Sequence, residues 1–255
     1  MARLLMKLSP TSLMHYLKFI GRSLMFLLAL ALYIIGKVNG SSMFAGYENS
    51  ILPLVFTLIF AGEILLRFFP SKLESLGCQK HFKHNFKARG DFDRKALRRK
   101  GLKAIYPVAV FWIILNGAIF ALYFCGIIDW GILILLSLAY SICDMICILF
   151  FCPFESWVMM NKCCGSCRIY NWDFMMMFTP LIFFSHPFAY ILVVLSLLLL
   201  IRWELGAYLN PERYFEESNE CLSCANCSEH LCHHKKHLRG FHRRLIAKGI
   251  KLYRK

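Results

Sequence analysis

The sequence predicts an all-α fold: a polytopic transmembrane helical bundle of five or six membrane segments with a small cysteine-rich cytoplasmic region. Two observations indicate this class. Hydrophobic residues make up 58% of the 255 residues and the mean hydropathy is +0.53, whereas only about half of the residues of a soluble domain are apolar. The charged residues lie in blocks that separate long uncharged runs, which is typical of chains whose apolar runs face lipid.

The charge balance is strongly basic. The chain has 30 Lys and Arg residues against 15 Asp and Glu residues, which gives a formal net charge of +15. A nucleic-acid-binding protein is also basic, but its basic residues line a soluble fold rather than bracket uncharged stretches. We therefore expect the lipid bilayer, including an anionic leaflet, to be the partner of these charges, and we expect no nucleic acid.

Residues 1–69 are predicted to form a basic leader and two membrane spans. The apolar run from Leu24 to Ile35 could imitate a signal peptide, but its basic leader is long and a poor cleavage site follows it, which favours a retained signal-anchor. The second span, Ile51 to Phe69, contains Glu63 and Arg67. These two residues are four positions apart on one helix face, so we expect them to neutralise each other.

Residues 70–103 form a basic loop, which the positive-inside rule assigns to the cytoplasm. After it, the uncharged run from Ala104 to Ile128 and the run from Trp130 to Phe151 predict a helical hairpin that turns at Asp129. The hairpin returns the chain to the cytoplasm, so the cysteine-rich segment of residues 152–173 is predicted to lie inside.

The apolar run from Phe174 to Ile201 is too long for one simple span. A straight helix of this length would measure about 42 Å, against about 30 Å for the hydrocarbon core. Pro180 and the triplet of Ser185, His186 and Pro187 predict a break. The result is either a re-entrant hairpin of two short halves or an interfacial segment followed by one crossing, and these alternatives put the C-terminus on opposite sides.

Residues 202–255 form a Cys- and His-rich basic tail. Near its end, apolar residues recur at helical spacing among basic ones, which predicts an amphipathic helix on an anionic leaflet. These apolar residues are Leu238, Phe241, Leu245, Ile246, Gly249, Leu252 and Tyr253. The basic character of the tail favours a cytoplasmic location for both termini.

The sharpest motif is the tail cluster of Cys221, Cys224, Cys227 and Cys232. Three cysteines at consecutive x2 spacings can place their thiolates around one compact centre, as in iron–sulfur proteins. Nearby nitrogen ligands make zinc an equal alternative, and disulfides or free thiols remain a third possibility if the tail lies outside. The histidines in question are His230, His233, His234 and His237.

A second cluster consists of Cys152, Cys163, Cys164 and Cys167. Its spacing also suits a turn of packed thiols. The metal hypothesis gains from the arrangement of the chain, because the two cysteine-rich segments bracket one apolar stretch that a hairpin would fold back on itself. We therefore treat all eight cysteines as candidate metal ligands for an iron–sulfur cluster or zinc.

Four short segments carry a resemblance to known proteins: CPF at residues 152–154, CCGSCR at 163–168, NWD at 171–173 and CLSCANC at 221–227. They are similar to segments of small uncharacterised prokaryotic polytopic membrane proteins, a resemblance that implies no activity. The chain also loosely resembles the membrane-bound ferredoxin-type quinol oxidases, which join a few helices to cytoplasmic cysteine motifs and a Cys-Pro near a helix end. The C-x3-C-P runs of that family are missing from this sequence.

These features predict electron transfer or redox sensing at the membrane, with a quinone or a soluble redox protein as partner. The alternatives are a scaffold or assembly factor whose tail is folded by zinc, and a small transporter that uses the ionisable residues of the apolar runs, Glu63, Asp144 and His186. The sequence contains no catalytic motif such as GxSxG or HExxH.

Overall fold

A computed structural model of the chain describes residues 10–40, 51–71, 74–159, 164–223 and 225. Within these residues the fold is all-helical, without a β-strand, as predicted. The α-helices are α1 (Pro10–Val38), α2 (Ile51–Leu66), α3 (Leu76–Gln79), α4 (Arg94–Phe124), α5 (Trp130–Leu149), α6 (Asp173–Phe178) and α7 (Pro187–Leu209). Single turns of other helix types lie at Lys83–Asn85, Phe154–Val158, Cys164–Ser166, Tyr170–Trp172, Thr179–Phe183, Pro211–Tyr214 and Glu220–Leu222.

Four helices of the described part, α1, α4, α5 and α7, are long and apolar enough to cross a membrane. Large apolar side chains cover their outer surfaces; Leu24 is 62% exposed and Ile113 is 70% exposed. Such a surface is stable only against lipid or another apolar surface. These four helices are thus compatible with the predicted integral membrane protein.

The helices run between two ends, which we name by their residues. The polar end comprises the described residues of 67–103, 150–172 and 203–223, and the opposite end comprises residues 36–40, 123–131 and 183–187. At the opposite end Lys37 pairs with Asp129 at 2.7 Å, and the ring of Trp130 stacks on that of Phe184. Asp129 also caps α5, because its Oδ1 accepts a hydrogen bond from the N–H of Ile132.

The predicted break in the fifth apolar run is present, but its arrangement differs from both expectations. The helix α6 passes into a 3₁₀ turn at Thr179–Phe183, and the full-length helix α7 then begins at Pro187. The segment of residues 173–184 packs between α5 and α7, mostly buried but with Phe183 exposed, and connects the polar end to the opposite end. It lies inside the bundle because its side chains are apolar apart from two: Asp173, whose charge Arg67 neutralises, and Thr179, whose hydroxyl donates to the carbonyl of Met175.

The helix α4 begins ten residues before the predicted span. Asp93 caps it by accepting a hydrogen bond from the N–H of Lys95 at 2.8 Å. Its first turns also make ion pairs with the chain that follows α7, Arg94 with Glu212 and Lys100 with Glu217. Residues 94–103 of the predicted basic loop are therefore a helical extension that holds the start of the tail.

A small apolar cluster of Trp203, Ala207 and Tyr214 lies at the polar end, and the described residues also form two larger apolar cores. One lies toward the opposite end and includes Ala29, Phe60, Ile64, Leu138, Phe178, Leu192 and Leu199. The other lies toward the polar end and includes Cys78, Ile105, Val108, Met145, Leu149, Cys167 and Tyr170. Buried charged side chains lie between the two cores, and these belong to the candidate functional site.

Candidate functional site

Cys221, the first residue of the tail cluster, is fixed to the polar end. It lies in the 3₁₀ turn Glu220–Leu222, and Asn219 Oδ1 accepts a hydrogen bond from its N–H at 3.1 Å. The preceding residues pair with the loop between α3 and α4, because the N–H of Glu220 donates to the carbonyl of Lys87 at 2.9 Å. The tail cluster therefore begins at the polar end, while Cys224, Cys227 and Cys232 and the predicted amphipathic helix lie outside the described residues.

Cys152 and Cys167 of the second cluster are buried at the same end. The Sγ of Cys167 lies 4.0 Å from the Sδ of Met159, and the Sγ of Cys152 accepts a hydrogen bond from the N–H of Glu155. Burial raises the pKa of Cys167 to about 11, although the ammonium group of Lys80 opposes the shift. A metal would therefore have to displace a proton from this thiol. Cys163 and the side chain of Cys164 lie outside the described part.

Sequence reasoning missed a third buried thiol at this end, that of Cys78. It lies on α3, where burial raises its pKa although the nearby guanidinium of Arg67 opposes the shift. Nothing in the sequence of the basic loop indicated that Cys78 would be buried. It joins the core because α3 folds back under the cysteine-rich segment, where Gly77 meets the ring of Tyr170.

A complete metal site is not formed by the described residues alone. Among them, no three His, Cys, Asp or Glu side chains are close enough together to hold a metal ion. The structure brings Cys152, Cys167 and Cys221 to one end of the bundle, but a site built from them needs further ligands. The eight-cysteine ligand set therefore stays a prediction, since most of its other members lie in segments that are not described.

The turn that carries Cys167 is held by charged side chains. Lys80, which is 0% exposed, donates from Nζ to the carbonyl of Cys167 at 2.6 Å and to that of Gly165 at 3.3 Å. Arg168 makes a bidentate ion pair with Glu204 of α7, at 3.0 and 2.8 Å. These contacts give the cysteine turn a rigid, positively charged support.

A buried charged layer crosses the bundle between its two cores. Arg22 of α1, 2% exposed, donates from Nη2 to Glu63 at 2.7 Å and from Nη1 to Asp144 at 3.1 Å. One guanidinium thus joins α1, α2 and α5. The prediction that Glu63 pairs with Arg67 is wrong, because the carboxylate of Glu63 reaches across to α1 instead.

The second half of the layer lies nearer the polar end. Arg67 donates from Nη1 to both carboxylate oxygens of Asp173, at 2.7 and 2.6 Å. Glu74 lies between Arg67 and Lys18, at 3.7 and 3.4 Å. Burial would raise the pKa of Glu74, but the charges of Arg67 and Lys18 outweigh it and hold the pKa below its usual value. The charged layer comprises Lys18, Arg22, Glu63, Arg67, Glu74, Asp144 and Asp173.

Two cavities lie on either side of the charged layer. Toward the opposite end a cavity of about 500 Å³ is lined by apolar and aromatic side chains together with His186. Toward the polar end a cavity of about 130 Å³ is lined by Asp144, Asp173, Cys152 and Cys167. The structure thus joins Glu63 and Asp144 through Arg22, but it places His186 apart from them, stacked on the ring of Phe184 at 5.6 Å.

The comparisons with known proteins add nothing to this geometry: no family model, no curated protein and no solved structure matches the chain. The function therefore has to be argued from the site itself.

Proposed function

We propose that the chain is a six-pass integral membrane protein that binds a cysteine-ligated metal centre at its polar end and uses it for electron transfer or redox sensing. The observation that carries the proposal is the position of Cys221, which begins the tail cluster at the end of the bundle where Cys152 and Cys167 are buried. The ligands would be Cys221, Cys224, Cys227 and Cys232, with Cys152, Cys163, Cys164 and Cys167 as a second set.

Six passes follow if the buried segment of residues 173–184 counts as a crossing. At one end of the segment Asp173 pairs with Arg67, and at the other end Phe184 stacks on Trp130. The helix α7 then returns the chain to the polar end. Both the first and the last crossing have one end there, which supports the expectation that both termini lie on one side.

The distribution of Lys and Arg supports a cytoplasmic polar end. Residues 67–103 carry twelve Lys and Arg residues, whereas the described residues of the opposite end carry one, Lys37, which pairs with Asp129. The positive-inside rule assigns the basic end to the cytoplasm. Thiols on that side are kept reduced, which favours metal binding over disulfides.

The same basic surroundings suit an iron–sulfur cluster, because its thiolate ligands and bridging sulfides give it a net negative charge. Lys80 and Arg168 lie beside the cysteine turn and would stabilise that charge. A soluble redox protein with an acidic surface would dock on the basic end. A quinone would enter from the lipid, where Leu28 and Phe183 on the rim of the larger cavity are exposed.

The test is metal analysis with a visible spectrum of the full-length protein purified anaerobically, alongside a Cys224→Ser and Cys227→Ser double variant. The matched control is Cys125→Ser, because Cys125 is exposed at the opposite end. We expect iron and a broad visible absorption band in the wild type and the control, and their loss in the double variant. Colourless protein with cysteine-dependent zinc would contradict the redox function and support a zinc-stabilised scaffold. Metal that persists in the double variant would contradict a metal site in the tail.

A transporter is the second candidate, and the charged layer between two cavities is the observation that favours it. In transporters a central polar site separates a space on one side from a space on the other. Under this alternative, Glu63→Gln and Asp144→Asn abolish flux in reconstituted vesicles while the cysteine variants do not. Loss of metal without loss of flux would therefore decide for the transporter.

A further inference from the structure

The charged layer holds an unequal number of opposite charges. Its three cations, Lys18, Arg22 and Arg67, face four carboxylates, Glu63, Glu74, Asp144 and Asp173. With every group ionised the layer therefore carries one net negative charge. A net charge that is buried in an apolar bundle is costly, and uptake of one proton would remove it.

The contacts indicate which carboxylate is the least stabilised as an anion. Asp173 accepts two short bonds from Arg67 and one from the N–H of Phe174. Glu63 and Glu74 each lie near two cations, with Lys18 shared between them. Asp144 has one cationic partner, Arg22, and that contact is longer than the bond from the same guanidinium to Glu63. Protonation of Asp144 would therefore weaken fewer ion-pair contacts than protonation of any other carboxylate of the layer.

A nearby histidine does not provide an alternative place for the proton. His15 is 3% exposed on α1, one turn before Lys18, and neither of its ring nitrogens has a hydrogen-bond partner among the described residues. An imidazolium has two N–H donors and would need an acceptor for each.

Asp144 shares a cavity with Cys152, Glu155 and Cys167 of the polar end. Its side chain lines the cavity of about 130 Å³, while none of the seven residues of the layer lines the cavity of about 500 Å³. The walls of this cavity are mostly apolar, so a proton would pass between its few polar groups, those of Asp144, Asp173 and Glu155. The ionisable groups that face Asp144 or this cavity are Lys18, Arg22, Glu63, Arg67, Glu74, Tyr140, Cys143, Cys147, Cys152, Glu155, Cys167, Tyr170 and Asp173.

We propose that Asp144 is a reversibly protonated carboxyl group that exchanges its proton with the polar end through the smaller cavity. Protonation gives the layer equal numbers of positive and negative charges and leaves Arg22 with one anionic partner, Glu63. The proton therefore weakens the link that Arg22 makes between α1 and α5, while the hydrogen bond that Arg22 donates to the carbonyl of Ser141 remains. The site binds a proton whether or not the cysteines hold a metal.

The test is infrared difference spectroscopy of the full-length protein in lipid nanodiscs, as the pH is lowered from mildly alkaline to mildly acidic values. We expect the carbonyl stretch of one protonated carboxyl group to appear in the wild type and to be missing from Asp144→Asn. The control variant Asp129→Asn removes an acid that pairs with Lys37 at the opposite end, so it should keep the band.

A second variant separates the proposal from a failure to fold. Glu63→Gln removes one anion from the layer, so Asp144 can stay ionised with the charges balanced. We expect the band of Asp144 to appear only at a pH lower by about one unit or more. A wild type without a titrating band, a band that survives in Asp144→Asn, or a midpoint unchanged by Glu63→Gln would each overturn the proposal.

Discussion

The charged layer and the surface of the polar end both contain ion pairs between basic and acidic side chains, but the arginines of the layer are buried and the cations of the surface are exposed. Arg22 and Arg67 are 2% and 1% exposed and each contacts defined carboxylates. Lys100 and Glu217 at the polar end pair with each other while remaining 56% and 65% exposed. A charge inside the bundle depends on its partner, whereas a charge at the surface is solvated in any case. The layer therefore specifies how the helices pack, and the surface remains available for lipid or a partner.

The largest expected effect comes from breaking the layer at Arg22. Arg22→Ala leaves Glu63 and Asp144, each 16% exposed, without their shared cation, which should lower the free energy of unfolding by about 3 kcal/mol, the lower end of the range for a buried pair. Thermal unfolding in detergent would measure the loss. The matched control is Lys100→Ala at the exposed pair, where the change should stay within about 1 kcal/mol. Equal effects of the two substitutions would remove the distinction between layer and surface.

A smaller effect is expected at Lys80, a buried cation that supports the turn carrying Cys167. Lys80→Met keeps much of the buried apolar stem but removes the donor to the carbonyls of Cys167 and Gly165. We expect a loss of stability of about 1–3 kcal/mol and a lower metal content. Lys83, an exposed residue of the same loop, provides the control Lys83→Met. Unchanged metal binding in Lys80→Met would mean that the cysteine turn does not need this support.

The smallest effect at neutral pH is that of His81, which appears only in acid. Burial, helped by the charge of Arg202, lowers the pKa of His81 to about 4. The unfolded chain binds the proton at a pH near 6.5, so His81 reduces stability as the pH falls from about 6.5 toward 4, by about 1.4 kcal/mol per pH unit. Above that range its contribution is constant. The melting temperature of His81→Gln should therefore fall less steeply with acid than that of the wild type, and parallel curves would contradict a buried neutral His81.

Local patterns in the sequence predicted much of the fold. Apolar runs located α1, α2, α5 and α7, since length and apolarity decide whether a helix suits a bilayer. Pro180 and Pro187 marked the break that the structure contains, because proline cannot continue a helix without losing a hydrogen bond. The extension of α4 back to Arg94 was missed, as ten mostly basic residues have no apolar face that would signal a helix.

The sequence indicated which residue types form the candidate site but not how the fold arranges them. Spacing identified Cys221 and its neighbours in the tail, but it did not identify Cys78, whose burial depends on the fold of a loop. Spacing also suggested the wrong partner for Glu63, because residues four positions apart on one helix, such as Glu63 and Arg67, lie on the same face. In the folded bundle Arg22 lies closer in space although it is 41 positions away.

The sequence by itself determined the membrane class, the helical content and the basic character of one end, because these depend on local hydropathy and charge. Only the tertiary structure decided which carboxylate meets which cation, that residues 173–184 pass through the interior, and that two cavities flank a charged layer. The physical reason is that a buried charge takes its partner from whichever helix packs against it. Helix packing depends on contacts between residues that are distant in the sequence.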